Sequence, residues 1–352
     1  MDFTFSEEQL MVAGVVRDLL ADRCTAADLR RLMAADAPRD EERWTALRDM
    51  GLTTLLVPEA AGGLGLGEVD LVLIAEACGY TALPEPLVEQ AGVVAPLLAA
   101  IDHPLAAEWL PKIASAEAVA ALAHPASPFV ADADGAAILL LIADGALHLV
   151  EAKNAALIRQ PSIDPFRRLA RVDWQPSPAT QITDAATARP LIDQAFERGA
   201  LFAAAQGLGL AQRSVDLAAD YARERQQFGK PIGSYQAVKH LLATVQVAIE
   251  FAKPVVYAAA AQIAAGGLHA RARVSHAKLA ALGAAEQAAR TGIQVHGAMG
   301  YSWEVDVHFF LKRSLALAGA WGDEAFHRKR VADRIFGAPL GPDQTFACGE
   351  AA

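Results

Sequence analysis

The chain is poor in cysteine, charge and long apolar runs, and each shortage argues against a class of protein. Its three cysteines, Cys24, Cys78 and Cys348, lie far apart, which argues against a disulfide framework or a thiolate metal site. Only 20% of the 352 residues are charged and the formal net charge is −10, so the basic face that nucleic-acid binding requires is missing. No spacing of His, Cys, Asp or Glu is typical of a metal site.

Targeting and membrane signals are also scarce. The sequence opens with Met1-Asp2-Phe3, an acidic start, and lacks the basic-then-apolar pattern of a secretory signal. The longest apolar runs, such as residues 136–143, are far shorter than a membrane span. We therefore expect a cytoplasmic protein without a membrane span. Its length of 352 residues predicts two or three packed units, and its 53% hydrophobic content predicts a large buried interior.

Hydrophobic periodicity predicts three structural parts and a tail. Helical spacing is interrupted by short β-like runs, two of which are joined at Asp144-Gly145, a strong hairpin signal. Long helical segments then return and are consistent with an antiparallel bundle. We predict these boundaries: an N-terminal helical domain at 1–115, a small β domain at 116–183, a C-terminal helical bundle at 184–337 and a loose tail at 338–352.

The most informative stretch, residues 223–233, reads RERQQFGKPIG and follows a long alanine-rich helical run. Arg225 offers a planar fork that can bind two phosphate oxygens, and Phe228, on the same helical side, can lie beside a ring or ribose. Gln236, at the start of the next helix, can recognise a polar edge without adding a charge. Such a corner suits a flat, anionic ligand. The alternative is an arginine-rich helix end that only complements the helix dipole.

This corner resembles the segment of acyl-CoA dehydrogenases that binds a flavin pyrophosphate. Residues 5–9, FSEEQ, are similar to the opening helix of that family, and residues 294–301, QVHGAMGY, are similar to its loop that reaches a neighbouring subunit's flavin. The likeness is weakest in the middle of the chain. The resemblance implies a mostly α fold, with an N-terminal helical domain, an abbreviated β-barrel or sheet domain and a C-terminal four-helix bundle.

The resemblance also implies FAD-dependent α,β-dehydrogenation of an acyl-CoA thioester to the enoyl-CoA. An electron-transfer flavoprotein would accept the electrons, and the assembly would be a dimer or a dimer of dimers. Six residues would bind the FAD: Arg225, Phe228 and Gln236 from one subunit, and Gln294, Gly297 and Ala298 from its partner. The alternative for residues 294–300 is an ordinary glycine-rich loop after a helix.

The catalytic base is where the sequence departs from the family. In the larger family branch the base is a glutamate followed by glycine, and the equivalent positions here read Trp321-Gly322. Asp323 and Glu324 follow directly and are candidates for a displaced base. The alternative is that Asp323 caps a helix beginning at Glu324.

A second family branch carries its base on the helix that leads into the arginine corner. The equivalent position falls near Gly199, and Glu197 lies two residues earlier. Glu197 is therefore a further candidate base, and its alternative role is a solvated charge beside Arg198.

Two main hypotheses follow from these departures. The chain is either a flavoenzyme that uses a displaced carboxylate, or a non-catalytic or half-site subunit that supplies flavin-binding residues to a paralogous partner. A different flavin reaction on the same scaffold, such as an oxidase reaction, is a third possibility. The residues do not specify the length or branching of the acyl chain.

Overall fold

The computed structural model describes residues 4–337, and the chain in it divides into two compact units. The described residues of Met1–Arg17, Val72–Ala82 and Ala200–Ala352 form unit 1, and Asp18–Leu71 with Leu83–Gly199 form unit 2. The predicted loose tail, 338–352, and Cys348 lie outside the described residues.

Helices dominate both units. Within residues 4–337 they run as α1 (Glu7–Arg23), α2 (Ala26–Ala35), α3 (Glu41–Asp49), α4 (Glu68–Tyr80), α5 (Leu87–Glu89), α6 (Ala95–Ala99), α7 (Pro104–Ala114), α8 (Ala185–Glu224), α9 (Gln236–Gln262), α10 (Gly267–His296), α11 (Val307–Gly319) and α12 (Glu324–Gly337). A π-helical turn, Gln90–Val94, joins α5 to α6. The longest helices, α8, α9 and α10, follow the β region, as the periodicity predicts.

Six short strands lie between α7 and α8. They are β1 (Ala120–Leu122), β2 (Val130–Ala131), β3 (Ile138–Ala143), β4 (Ala146–Glu151), β5 (Ala156–Gln160) and β6 (Leu169–Asp173). One sheet has the order β1-β3-β4, with β1 parallel to β3, and the other has the antiparallel order β2-β6-β5. The predicted hairpin is confirmed, because β3 pairs with β4 across Asp144 and Gly145, whose φ values of 50° and 81° suit a tight two-residue turn.

The fold class predicted from the resemblance is confirmed by this order of helices, small sheets and helices. The exact domain boundaries stay a prediction, since the two compact units divide the chain differently. Residues 72–82, which include most of α4, belong to unit 1 although they precede the β region by about 40 residues along the chain, which periodicity alone does not indicate.

A buried ion pair stabilises unit 2. Arg43 donates from Nε to Oε2 of Glu85 at 2.7 Å and from Nη2 to Oε1 at 2.6 Å, and its remaining nitrogen donates to the Arg23 carbonyl. Both side chains are almost fully buried. The pair therefore depends on complete hydrogen bonding to offset the cost of removing two charges from water.

In unit 1, α4 and α8 pack with their backbones in close approach. A Cβ added to Gly209 would lie well inside contact distance of the Glu76 carbonyl, and one added to Gly79 would collide with the Gln206 carbonyl. Glycine at both positions is what allows this crossing. The same face of α4 binds α9, because the Tyr257 hydroxyl donates to Oε2 of Glu76 at 2.7 Å. Burial raises the pKa of Glu76.

One helical segment bears on the expectation that the chain has no membrane span. Gln236–Ala265 is the one described helical segment long and apolar enough, by length and composition, to cross a membrane, and about a fifth of its most apolar window is buried. Unbroken apolar runs in the sequence do not reveal this segment, because polar residues are scattered along the helix. The absence of a membrane span therefore stays a prediction.

Candidate functional site

The arginine corner forms a small hairpin rather than a continuation of α8. The helix ends at Glu224, and β7 (Gln226–Gln227) pairs with β8 (Lys230–Pro231). Phe228 and Gly229 occupy the turn with φ values of 53° and 79°. The sequence expectation that Arg225 and Phe228 share a helical face is therefore wrong, because the helix ends before both of them. A left-handed conformation at a phenylalanine is uncommon and is typical of functional turns.

The Tyr235 side chain contacts both strands of this hairpin. Its hydroxyl donates to the Gln227 carbonyl at 3.0 Å, and the Lys230 ammonium lies 4.3 Å from the centre of its ring. Gly233 must lack a side chain, because an added Cβ would lie 2.9 Å from the Ala222 carbonyl oxygen. The hairpin is thus held against the end of α8, with the Phe228 side chain 92% exposed.

The second predicted segment begins where α10 ends. His296 closes the helix, Gly297 follows with φ 61° and ψ −136°, and a 3-10 turn, Gly297–Tyr301, completes the loop. That backbone conformation is open essentially to glycine alone. Gly300 is also required, since an added Cβ would lie 2.5 Å from the Ile293 carbonyl oxygen.

These two segments share one end of unit 1 within a single chain. The His296 ring stacks on Tyr221, with 4.3 Å between ring centres. Val295 packs with Ala218 and Ala222 of α8, and Ile232 after the hairpin packs on the same cluster.

The six predicted flavin-binding residues therefore surround one end of the helical bundle. All of them are exposed: Arg225, Phe228, Gln236, Gln294, Gly297 and Ala298. Gln236 is the first residue of α9, as the sequence predicts.

The position that the resemblance equates with the family's base is filled by a buried indole. Trp321 is 8% exposed and has a φ of 55°, and the next residue, Gly322, has a φ of 89°. The Trp321 carbonyl accepts a hydrogen bond from Nε2 of His327 at 2.9 Å. An indole carries no group that can accept the α proton of a thioester.

The two carboxylates that follow are already engaged. Asp323 accepts a hydrogen bond from the Phe326 amide at 2.8 Å, so it caps α12, as the alternative interpretation predicts. Glu324 is exposed and pairs with Arg328, one turn along the helix, at 2.6 Å. A catalytic role for either stays a prediction, and neither side chain is buried.

Glu197 lies in the part of α8 that belongs to unit 2. It is 8% exposed, so the interpretation as a solvated charge is wrong. Its neighbour Arg198 instead pairs with Glu68 at 2.8 Å. The adjacent Phe196 ring meets His124 edge to face, with 5.7 Å between ring centres. Glu197 is thus the buried member of the three candidate bases.

The sequence reasoning missed two buried polar residues of unit 1. Lys278 of α10 donates to the carbonyls of Ala320 and Gly322, on either side of Trp321. His327 of α12 binds the Trp321 carbonyl between them. The available signal was Lys278 itself, a single charged residue in the alanine-rich run 277–285. Among residues 4–337, no group of three or more metal-binding side chains is brought together.

Comparison with known proteins gives two family matches along the chain. Residues 6–117 match the N-terminal domain of acyl-CoA dehydrogenases, and residues 190–336 match the C-terminal domain. The acyl-CoA dehydrogenase IpdE2 of Mycobacterium tuberculosis is 33% identical over 311 residues, which cover 88% of this chain and 91% of that protein.

Solved structures share the fold. One chain of the ChsE4-ChsE5 complex from Mycobacterium tuberculosis has a TM-score of 0.84 at 24% identity, and the match covers 97% of this chain and 100% of that chain. One chain of the Tcur3481-Tcur3483 steroid ACAD variant has a TM-score of 0.81 at 24% identity, and the match covers 94% of this chain and 98% of that chain. With both domains matched and a relative aligned over most of its length, the chain belongs to the acyl-CoA dehydrogenase family of oxidoreductases.

Proposed function

We propose that the chain takes part in the FAD-dependent α,β-dehydrogenation of an acyl-CoA thioester, and that one end of its bundle binds the adenosine diphosphate part of FAD. The observation that carries the proposal is the shared position of the arginine hairpin and the Gly297 loop. Both are exposed, both are built on positive-φ backbone and both pack on the Val295 cluster.

The chemistry of these residues fits a diphosphate joined to a nucleoside. Arg225 supplies a permanent charge and a two-pronged donor for phosphate oxygens. Phe228 presents an exposed ring edge and face beside it, and Gln236 presents an uncharged donor and acceptor at the start of α9. Gly297 lets a ligand approach the backbone without meeting a Cβ, since the space above it is open.

We infer that Arg225 and Gln294 serve the same FAD from the same chain. The resemblance alone implied that Gln294, Gly297 and Ala298 come from a partner subunit. Because Val295 packs against Ala222 and Ile232 within one chain, a single half-site made by one bundle end is the simpler proposal. The isoalloxazine part of the cofactor would then be bound elsewhere.

Held by Arg225, Phe228 and Gln236, FAD would supply the acceptor for the β hydrogen of the acyl group, which leaves as a hydride. The chain must then provide, or obtain from a partner, a carboxylate that removes the α proton. We propose Glu197 as the base if the chain acts alone, because it is buried, whereas Asp323 caps a helix and Glu324 pairs with Arg328 at the surface.

A second candidate function is favoured by Trp321. A buried indole at the usual base position suits a subunit that binds flavin but leaves proton removal to a paralogous chain. The similar ChsE4-ChsE5 structure is a complex of two proteins, which agrees with a heteromeric assembly. We further propose a cytoplasmic location and an electron-transfer flavoprotein as the acceptor.

Anaerobic reduction of the purified single chain distinguishes the two candidates. Acyl-CoA esters, including a steroid ester suggested by the Tcur3481-Tcur3483 steroid ACAD neighbour, are added to the flavin-loaded protein. Bleaching of the flavin absorption that is lost in Glu197→Gln supports an autonomous enzyme. A matched variant, Glu324→Gln, should retain the bleaching, because Glu324 is a surface residue.

Bleaching that persists in Glu197→Gln contradicts the assignment of Glu197. A chain that no ester bleaches alone, but that is bleached after mixing with a paralogous acyl-CoA dehydrogenase subunit, supports the half-site function. Reduced flavin that reacts rapidly with oxygen would instead favour an oxidase.

A further inference from the structure

Three successive carbonyl groups of the segment 320–322 converge on two buried side chains. The Lys278 ammonium donates to the carbonyls of Ala320 and Gly322, and the middle carbonyl, that of Trp321, accepts from Nε2 of His327. Since that nitrogen must carry the proton, Nδ1 accepts from the Ser275 hydroxyl at 3.0 Å. We call this arrangement the carbonyl clamp.

The conformation that the clamp holds is one a tryptophan rarely adopts. Trp321 has a φ of 55° and Gly322 a φ of 89°. A left-handed conformation costs a non-glycine residue roughly 1 kcal/mol or more. Such a residue persists only where the surrounding contacts determine its position, and here hydrogen bonds reach its own carbonyl and both neighbouring ones.

The clamp is enclosed rather than solvated. Lys278 is 3% exposed and His327 is 1% exposed, and Ser275 is fully buried. A lysine is rarely buried to this degree unless its charge meets acceptors, because desolvating an ammonium costs several kcal/mol. The two carbonyls supply those acceptors, so the position of Lys278 and the shape of the segment depend on each other.

We propose that Lys278 is a positioning residue which, with His327, fixes the Trp321 indole in one place. The inference rests on the proposed function, in which Trp321 stands at the family's usual base position. The carbonyl clamp holds the backbone of the segment 320–322 rigidly. The segment then presents an apolar indole to the acyl group in place of a carboxylate.

The test isolates the fluorescence of Trp321 in the flavin-free full-length protein. The emission of Trp321→Phe is subtracted from that of the wild type, and the same subtraction is made in the Lys278→Met background. Quenching by acrylamide then reports how accessible Trp321 is. We expect the quenching constant of Trp321 to rise about fivefold in Lys278→Met, because the segment can open locally.

Two controls separate positioning from general loosening. Lys278→Arg, which keeps the charge and the donors, should restore most of the protection of Trp321. Lys253→Met, in α9 of the same unit, removes a half-buried lysine that pairs with the exposed Glu250 and should leave Trp321 unchanged. The quenching of the other four tryptophans should not change in any variant.

Equal quenching of Trp321 in the wild type and in Lys278→Met overturns the proposal, as does a parallel rise for all tryptophans. If Lys278→Met does not fold, His327→Gln removes the other half of the clamp and should raise the quenching constant to a smaller extent. FAD content is measured in the same variants. FAD content depends on the hairpin end of the bundle. A protein that binds no FAD therefore contradicts the proposed function, whereas the quenching of Trp321 alone decides the proposal about the clamp.

Discussion

At the scale of single residues, buried polar side chains carry much of the specificity of this structure. The charges of the Arg43–Glu85 pair and of Lys278 in the carbonyl clamp are satisfied by several hydrogen bonds. All three side chains lie in the buried interior, which is otherwise mostly apolar. Such groups tolerate loss of a partner poorly, because the remaining charge is left in a medium of low dielectric constant.

Glu85→Gln should therefore destabilise the protein strongly. It leaves the Arg43 guanidinium buried without a counter-charge, and we expect a loss of about 3 kcal/mol in the free energy of unfolding. Glu41→Gln is a matched control, because Glu41 pairs with Arg39 at the surface and its removal should cost less than about 0.5 kcal/mol. Denaturant titration measures both. Equal effects of the two substitutions would contradict the buried-pair argument.

His327 should make stability depend on acidity. Burial, followed by the nearby Lys278 charge, lowers the pKa of His327 from 6.5 to about 4. Between these values the unfolded chain binds a proton that the folded chain does not. Stability from this group is thus fully present above pH 6.5 and falls as the pH drops toward 4, by up to about 3 kcal/mol.

Unfolding titrations at several pH values compare the wild type with His327→Gln. The difference between the two curves should shrink as the pH falls through this window. A difference that is the same at pH 7 and pH 4.5 would show that His327 is not buried in its neutral form.

At the scale of elements, glycine positions decide how closely helices approach. Gly209→Ala should destabilise unit 1 by 2 kcal/mol or more, roughly the cost of overpacking, because its Cβ would meet the Glu76 carbonyl of α4. Gly283→Ala on α10 is the matched control, since nothing lies within 4 Å of its Cβ. That change should stabilise the helix by about 0.5–1 kcal/mol. Thermal unfolding of the two variants should move in opposite directions, and a shift of the same sign in both would refute the packing argument.

The sequence predicted elements better than it predicted contacts. The β3–β4 hairpin follows from Asp144-Gly145, and the start of α9 at Gln236 follows from the glycine- and proline-containing turn before it. The burial of Glu197 and of Lys278 did not follow, because a charged residue on a helix is exposed by default until its tertiary partners are known. The hairpin around Phe228 was also missed, since short arginine-rich stretches are compatible with a continuing helix.

At the scale of the whole molecule, α9 indicates association. Leu241, Val247 and Phe251 are exposed along one apolar helix. Exposed apolar surface of this kind is typical of protein interfaces. We expect the purified chain to have a mass well above 37.1 kDa in light scattering, and Phe251→Glu to lower it. A wild-type monomer at micromolar concentration contradicts a homo-oligomer and directs the search to a paralogous subunit.

The family and fold follow from short motifs at both ends of the chain, whereas catalytic independence does not. Motifs indicate backbone turns and charged corners that suit a ligand, so Arg225 and Gly297 can be proposed as binding residues without a structure. The base cannot be found in this way, because its usual position holds Trp321 and the remaining carboxylates differ only in burial and pairing.

The FAD content of the purified protein tests the central claim most directly, since it reports on the bundle end itself. Wild type, Arg225→Ala and Arg223→Ala are compared by absorption after dialysis against a range of FAD concentrations. Arg223 is the matched control, because it lies two residues away and pairs with Asp220 at the surface.

We predict that Arg225→Ala weakens FAD binding about 10- to 100-fold, as expected for the loss of a charge-assisted phosphate contact, and that Arg223→Ala binds FAD like the wild type. Equal FAD retention by all three proteins would contradict the assignment of this bundle end as the flavin diphosphate site.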